Sequence, residues 1–230
     1  MTTISNSLQA VRERIARAAV QSGRTPASIS LLAVSKTFGP DLIRAALNDG
    51  QYAFGESYLQ EALPKIAALA DLPIEWHFIG PLQSNKTKLI AQTFAWVHGV
   101  DRAKIAQRLA EQRGPHLPPL NICLQVNVSG EASKSGVAPS QLTALAREVA
   151  SLPHIKLRGL MVIPAPTEDV AAQRSAFRRV RTLFEQLNTQ GFALDTLSMG
   201  MSHDLEAAIE EGATIVRIGS AIFGERKGSE

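Results

Sequence analysis

The sequence predicts an α/β fold, a (β/α)8 TIM barrel opened by an extra N-terminal helix. Eight short apolar runs alternate with helical patterns, and their centres recur at close to barrel spacing. The length of 230 residues approaches the ~250 usual for this barrel. An open doubly wound sheet more often has fewer strands. Residues 1–230 read as a single domain, because the only proline cluster, Pro115, Pro118 and Pro119, interrupts nothing and reads as a loop.

The opening helix follows from Ile4, Leu8, Val11, Ile15 and Ala18 at three- and four-residue spacing, with Gly23 as its stop. The expected strands are Ile29–Ser35, Tyr52–Gly55, Glu75–Ile79, Ala95–Val100, Ile122–Val128, Lys156–Ile163, Leu194–Ser198 and Thr214–Ile218. Helical periodicity covers Pro40–Asp49, Tyr58–Leu69, Arg102–Gln112, Pro139–Ser151, Ala171–Asn188 and Asp204–Glu211. The densest basic stretch, Ser84-Asn85-Lys86-Thr87-Lys88, reads as a solvated helix start rather than a phosphate contact.

With 45% hydrophobic and 20% charged residues, the chain has the composition of a packed globular protein rather than a disordered or fibrous one. Its net charge of +3 is scattered, so nothing points to a nucleic-acid partner. No apolar run approaches the ~20 residues of a membrane span, and the N-terminus lacks a signal-peptide pattern, which makes the cytoplasm the expected compartment. Cys123, the single cysteine, lies between Ile122 and Leu124 and reads as a buried strand thiol. His98, His116 and His154 lack metal-ligand spacing and read as surface or loop residues, so no metal is expected, whereas His77 closes the third strand and is a candidate for the barrel mouth. Lys134, after the fifth strand, reads as an exposed loop lysine, with a rim contact to a partner or a second cofactor molecule as the lesser alternative.

In a parallel barrel, functional residues gather at the C-terminal ends of the strands. The first strand ends in Lys36, at the mouth of an apolar channel. Desolvation lowers an amine's pKa and frees the lone pair that imine formation with an aldehyde requires. Read alone, Lys36 is a solvated lysine; its neighbours change that reading. The seventh strand runs into Ser198-Met199-Gly200-Met201-Ser202-His203-Asp204, a glycine-containing turn before a helix, where Ser202 or Asp204 would cap and exposed N–H groups suit a phosphate. The eighth supplies Gly219 and Ser220, and phosphate sites in this fold commonly use these two loops. Arg217 interrupts an apolar strand and needs a partner. Two readings stand side by side: an ion pair with Glu56 or another carboxylate, or a contact to a cofactor ring nitrogen, which a guanidinium would keep unprotonated.

Together with these residues, Leu31-Leu32-Ala33-Val34-Ser35-Lys36, Phe54-Gly55-Glu56, Trp76-His77-Phe78-Ile79-Gly80-Pro81-Leu82-Gln83-Ser84-Asn85-Lys86, Arg158-Gly159-Leu160-Met161, Leu197 to Ser202 and Val216-Arg217-Ile218-Gly219 carry a resemblance. The chain resembles the pyridoxal phosphate homeostasis protein family, from the opening helix to Phe223-Gly224. That resemblance implies a barrel of the alanine racemase N-terminal type, with pyridoxal 5′-phosphate as a Schiff base on Lys36. It also implies that Ser202, Gly219, Ser220 and the backbone near Met199 and Gly200 hold the phosphate, while Arg217 faces the pyridine nitrogen. Ser57 stands where the family usually shows asparagine, shortening the reach toward the cofactor, and His203 stands where an acidic residue is usual. Both depart from the pattern without removing the lysine or the loops.

The implied role is intracellular cofactor storage, buffering or delivery to apo-enzymes by a monomer, without catalytic turnover. A pyridoxal racemase needs acid/base groups on both faces of the substrate carbon, and the racemases take the second from an additional domain of the partner subunit. The residues after the eighth strand are too few for such a domain, and Tyr52 and Tyr58 both lie near the second strand, away from the expected position of that base. The alternative is a slow amino-acid racemase or another enzyme using the same cofactor.

Overall fold

The computed structural model describes residues 3–129 and 135–224, so Lys134 lies outside the described residues. The opening helix α1 (Ile4–Gln21) buries Leu8, Val11, Ile15, Ala18 and Ala19, the stripe that the spacing predicts. The strands are β1 (Ser30–Val34), β2 (Ala53–Glu56), β3 (Glu75–Phe78), β4 (Trp96–Val100), β5 (Leu120–Gln125), β6 (Ile155–Met161), β7 (Thr196–Ser198) and β8 (Ile215–Ile218). Each pairs in parallel with the next, and β8 closes on β1, so the sheet is a closed barrel in sequence order.

The helices are α2 (Pro40–Asn48), α3 (Leu59–Ala68), α4 (Thr87–Thr93), α5 (Ala103–Gln112), α6 (Pro139–Ala150), α7 (Val170–Thr189), α8 (Leu205–Glu210) and α9 (Ser220–Phe223). Two of these, α4 and α9, and a 3-10 turn at Pro26–Ser28 lie outside the periodic stretches, being too short to show a repeat. The basic Ser84–Lys88 stretch is the start of α4, with Lys88 exposed.

Alternation along the strands sorts the side chains into two layers. Val97, Ile122, Leu124, Leu160, Leu197, Val216 and Ile218 face outward and join the helices in the main core. Trp96, Cys123 and Met161 form a separate apolar cluster inside the barrel, and His77, His98, Ser198 and Arg217 share that interior. The barrel interior therefore carries several buried polar groups, each of which needs a hydrogen-bond partner.

Candidate functional site

The C-terminal ends of the strands surround a cavity of about 500 Å³. Lys36, Ser57, Ser202, Arg217, Gly219 and Ser220 line it, so residues far apart in the sequence converge on one mouth. Gly80 brings the second and third loops together: a Cβ there would sit 2.1 Å from the Ser57 carbonyl oxygen.

The half-buried Lys36 is flanked by an anchored backbone. Before it, the Ser35 hydroxyl donates to Glu56 Oε1 at 2.6 Å, and the Ser35 carbonyl accepts from Lys65 Nζ at 2.9 Å. After it, Thr37 donates its N–H to the Glu61 carboxylate and takes φ +71°, a left-handed conformation unusual outside glycine. Lys65, buried on α3, ties the two sides by pairing with Glu56 at 3.0 Å and Glu61 at 2.6 Å. Burial raises the Glu56 pKa, and Ser35 and Lys65 pull it back.

Arg217 is 4% exposed, and its partners are oxygens without formal charge. Nη1 donates to the Ser198 carbonyl at 2.6 Å and to Ser198 Oγ at 2.9 Å; Nη2 donates to the Val162 carbonyl at 2.9 Å. The expected alternative of an ion pair with Glu56 is not realised, because Lys65 occupies that carboxylate. Burial lowers the Arg217 pKa to about 10, with Asp204 acting in the opposite direction. Cys123 is buried as expected, and burial pushes its thiol up to about 12.

The loop between β7 and α8 is shaped by Gly200 at φ +95°, where a Cβ would lie 2.6 Å from that of Ala208. Asp204 does not cap α8 through its side chain; Oδ1 accepts the Met201 N–H at 2.6 Å. Arg14 of α1 reaches the same loop, donating to the Ser202 carbonyl at 3.1 Å while pairing with Glu206 at 2.9 Å. The Ser202 and Ser220 hydroxyls end 3.4 Å apart, Ser220 opening α9 next to its N-cap Gly219.

Four expected site residues stand away from the cavity lining. His77 is a correction: it occupies the middle of β3, 3% exposed, not the rim, because β3 continues one residue beyond it. Its Nε2 lies 2.9 Å from Glu75 Oε1, its Nδ1 lies 2.9 Å from His98 Nε2, and its ring stacks on Trp96. Ser198 is fully buried beneath the cavity, where its hydroxyl meets Arg217 and His98. Met199 is fully buried, with its N–H bonded to the Ile215 carbonyl, and Gly200 contributes its carbonyl to the Arg217 N–H.

His98 is a second correction: the reading as a surface or loop residue fails, since it is 0% exposed in β4, on the inward face two residues from Trp96. His116 and His154 are exposed. Tyr58 is the residue missed at the site: it lines the cavity, although its position next to the second strand argued against a role there, whereas Tyr52 lies by the N-terminal helix. Among the described residues, no group of three histidine, cysteine or carboxylate side chains is placed to hold a metal ion.

The model of the alanine racemase N-terminal domain matches residues 7–227. A pyridoxal phosphate homeostasis protein of Pseudomonas aeruginosa is 62% identical over 98% of this chain and 97% of its own. One from Escherichia coli is 50% identical over 98% of both. Among solved structures, PipY of Synechococcus elongatus with PLP bound is 37% identical, with a TM-score of 0.85 over 96% of this chain and 100% of that one. An alanine racemase of Corynebacterium glutamicum, at 20% identity and TM-score 0.67, shares the fold over 63% of its length. With full-length relatives and the closed barrel in agreement, the chain belongs to the alanine racemase N-terminal domain family, and within it to the pyridoxal phosphate homeostasis proteins.

Proposed function

We propose that the chain binds pyridoxal 5′-phosphate in the barrel-mouth cavity, joined covalently to Lys36, and serves cofactor homeostasis by storing, buffering or delivering it rather than by turnover. The observation that carries this reading is the convergence of a lysine, a buried arginine and two hydroxyls on one cavity. The bound cofactor would supply an aldehyde carbon, which a neutral amine attacks with loss of water. Ser202, Gly219 and Ser220 hold the phosphate, while the backbone at Met199 and Gly200, bonded to Ile215 and Arg217, shapes the loop that carries Ser202. The first N–H groups of a helix lack acceptors within it and suit an anion.

Arg217 faces the pyridine nitrogen. A guanidinium has no acceptor to offer, so it leaves that nitrogen unprotonated and the ring a weak electron sink. Ser57 stands beside the ring, with His77 and Ser198 acting from below. The same reading takes the chain as a monomeric single domain in the cytoplasm that passes cofactor to apo-enzymes. The names of the Pseudomonas and Escherichia relatives and the ligand in the PipY structure support the cofactor-binding and homeostasis part of this reading.

Borohydride treatment of protein loaded with pyridoxal 5′-phosphate, followed by peptide mapping, tests the attachment: the label should fall on Lys36 and vanish in Lys36→Ala. Label on any other lysine would overturn the assignment. Delivery requires transfer to an apo-enzyme faster than free cofactor release, and equal rates count against it. A second reading, slow racemisation, is favoured by one observation, the Tyr58 side chain at the cavity. A racemisation assay comparing wild type with Tyr58→Phe addresses it, and no turnover in either leaves homeostasis alone.

A further inference from the structure

Beneath the cavity, a continuous run of hydrogen bonds passes down through the barrel interior. Arg217 Nη1 donates to Ser198 Oγ at 2.9 Å; Ser198 Oγ meets His98 Nδ1 at 2.7 Å; His98 Nε2 meets His77 Nδ1 at 2.9 Å; His77 Nε2 meets Glu75 Oε1 at 2.9 Å. Four strands contribute, β8, β7, β4 and β3, and the run starts at the cavity and ends at the first residue of β3, on the opposite face of the barrel. The Glu75 side chain is 52% exposed there, while every group between it and the cavity is buried.

With both buried rings neutral, the two ends determine the direction of every bond between them. A guanidinium only donates, and an ionised carboxylate only accepts. With Glu75 accepting, His77 carries its proton on Nε2, so its Nδ1 must accept from His98 Nε2–H. The His98 Nδ1 is then bare and accepts the Ser198 hydroxyl proton. That leaves the Ser198 oxygen lone pairs for Arg217. No group in the run has to donate or accept twice at one position, and both rings are neutral. Burial lowers the pKa of both histidines, His98 well below the ordinary value, in keeping with neutral rings. The hydrogen bond from His77 holds the Glu75 carboxyl below its usual range, with burial opposing and Trp96 and Arg158 assisting. Trp96, stacked on His77 at an interplanar angle of 4°, fixes the ring plane.

We propose that Glu75, His77, His98 and Ser198 are positioning residues that form a one-directional hydrogen-bond column: Glu75 sets the tautomer of both buried histidines and, through Ser198, the seating of Arg217 at the cavity. The column deepens the proposed function by assigning remote residues to the group that faces the ring nitrogen. Its hydrogen-bond pattern is a property of the protein alone, so it is testable whether or not the cofactor reading holds.

Nitrogen-15 NMR of the purified protein at pH 7, without and with added pyridoxal 5′-phosphate, reads the tautomers directly. Both buried rings should be neutral with the proton on Nε2, and the Arg217 Nη resonances should be resolved by their hydrogen bonds. Glu75→Gln, whose amide oxygen still accepts, should keep both patterns. Glu75→Lys offers only donors and should move the proton of both rings to Nδ1. Ser198→Ala keeps the Ser198 and Val162 carbonyls that also hold the guanidinium, so it should shift the Arg217 Nη1 resonance and leave Nη2 and the His77 tautomer unchanged. A wild-type ring that is protonated, or that carries its proton on Nδ1, would overturn the column, as would Arg217 signals unchanged in Ser198→Ala. Should Glu75→Lys not fold, the wild-type tautomers and Ser198→Ala still decide the matter. Failure of wild type to acquire any cofactor absorbance overturns the proposed function and not the column.

Discussion

Behind Lys36 the cavity wall is held by opposite charges, whereas Arg217 is held by oxygens without formal charge. Lys65 pairs with both Glu56 and Glu61 around the backbone that carries Lys36, fixing the residues on either side of it. Arg217 instead donates to two carbonyls and a hydroxyl, none of which cancels its charge. The difference teaches how one small site treats two cations: the lysine has the backbone on either side of it anchored by an ionic cluster, and the arginine is immobilised by oxygens that leave its positive charge uncancelled. A carboxylate bonded to Arg217 would have satisfied the guanidinium but removed that field.

The largest effect should come from breaking the charged support. Lys65→Met leaves Glu56 buried without its cation, which costs about 3–5 kcal/mol in unfolding by urea at pH 7. Adding Glu56→Gln to that variant should restore much of the loss, since the two sites are in direct contact. Arg217→Met leaves carbonyls without donors but no carboxylate without a partner, and should cost less, about 1–3 kcal/mol. Equal losses in Lys65→Met and Arg217→Met would erase the distinction between the two walls.

A smaller effect should appear with pH, and it comes from the uncharged side. The folded-state pKa of both His77 and His98 lies below the unfolded value, so their contribution is fully present above about pH 6.5 and lost as pH falls. Each ring that stays neutral in the fold adds a slope of up to about 1.4 kcal/mol per pH unit. Glu56 and Asp204, raised mainly by burial, run the other way, stabilising at low pH and losing that contribution as pH rises. Comparing wild type with His98→Phe between pH 6.5 and 5 isolates the ring: the variant should lose a slope that rises from about 0.7 to about 1.4 kcal/mol per pH unit as the unfolded histidine protonates. Identical slopes would mean that His98 is not held neutral.

The barrel was legible because each strand and helix announces itself locally, by apolar runs and by three- and four-residue spacing. The wall behind Lys36 was half legible. Leu59, Ala62, Lys65 and Leu69 fall on one face of α3, and a lysine on that buried face signals a buried partner. The column was not legible. His98 sits beside Val97 and Gly99, and since both faces of a barrel strand are buried, alternation does not separate a polar interior from an exposed surface. Its partners come from β3, β7 and β8, and only the closed register brings them together. The misplacement of His77 at the rim has the same origin, since the strand end determines which polar residue reaches the mouth.

The smallest effect should come from α1, which supports the arginine side of the cavity from outside. Arg14 joins the Ser202 carbonyl to Glu206, with side chains 32% and 46% exposed, so the pair contributes little to stability, about 0.2–1 kcal/mol. Its consequence lies instead in placing the loop that carries the Ser202 hydroxyl. Arg14→Ala should therefore leave the unfolding free energy nearly unchanged while weakening pyridoxal 5′-phosphate binding about two- to fivefold, the equivalent of about 0.5–1 kcal/mol. Arg14→Lys, which can still donate to the carbonyl but lacks the forked pairing with Glu206, should fall between. A titration that finds all three proteins equal in affinity would confine α1 to packing and leave the placing of the loop between β7 and α8 to contacts such as that of Asp204 with Met201.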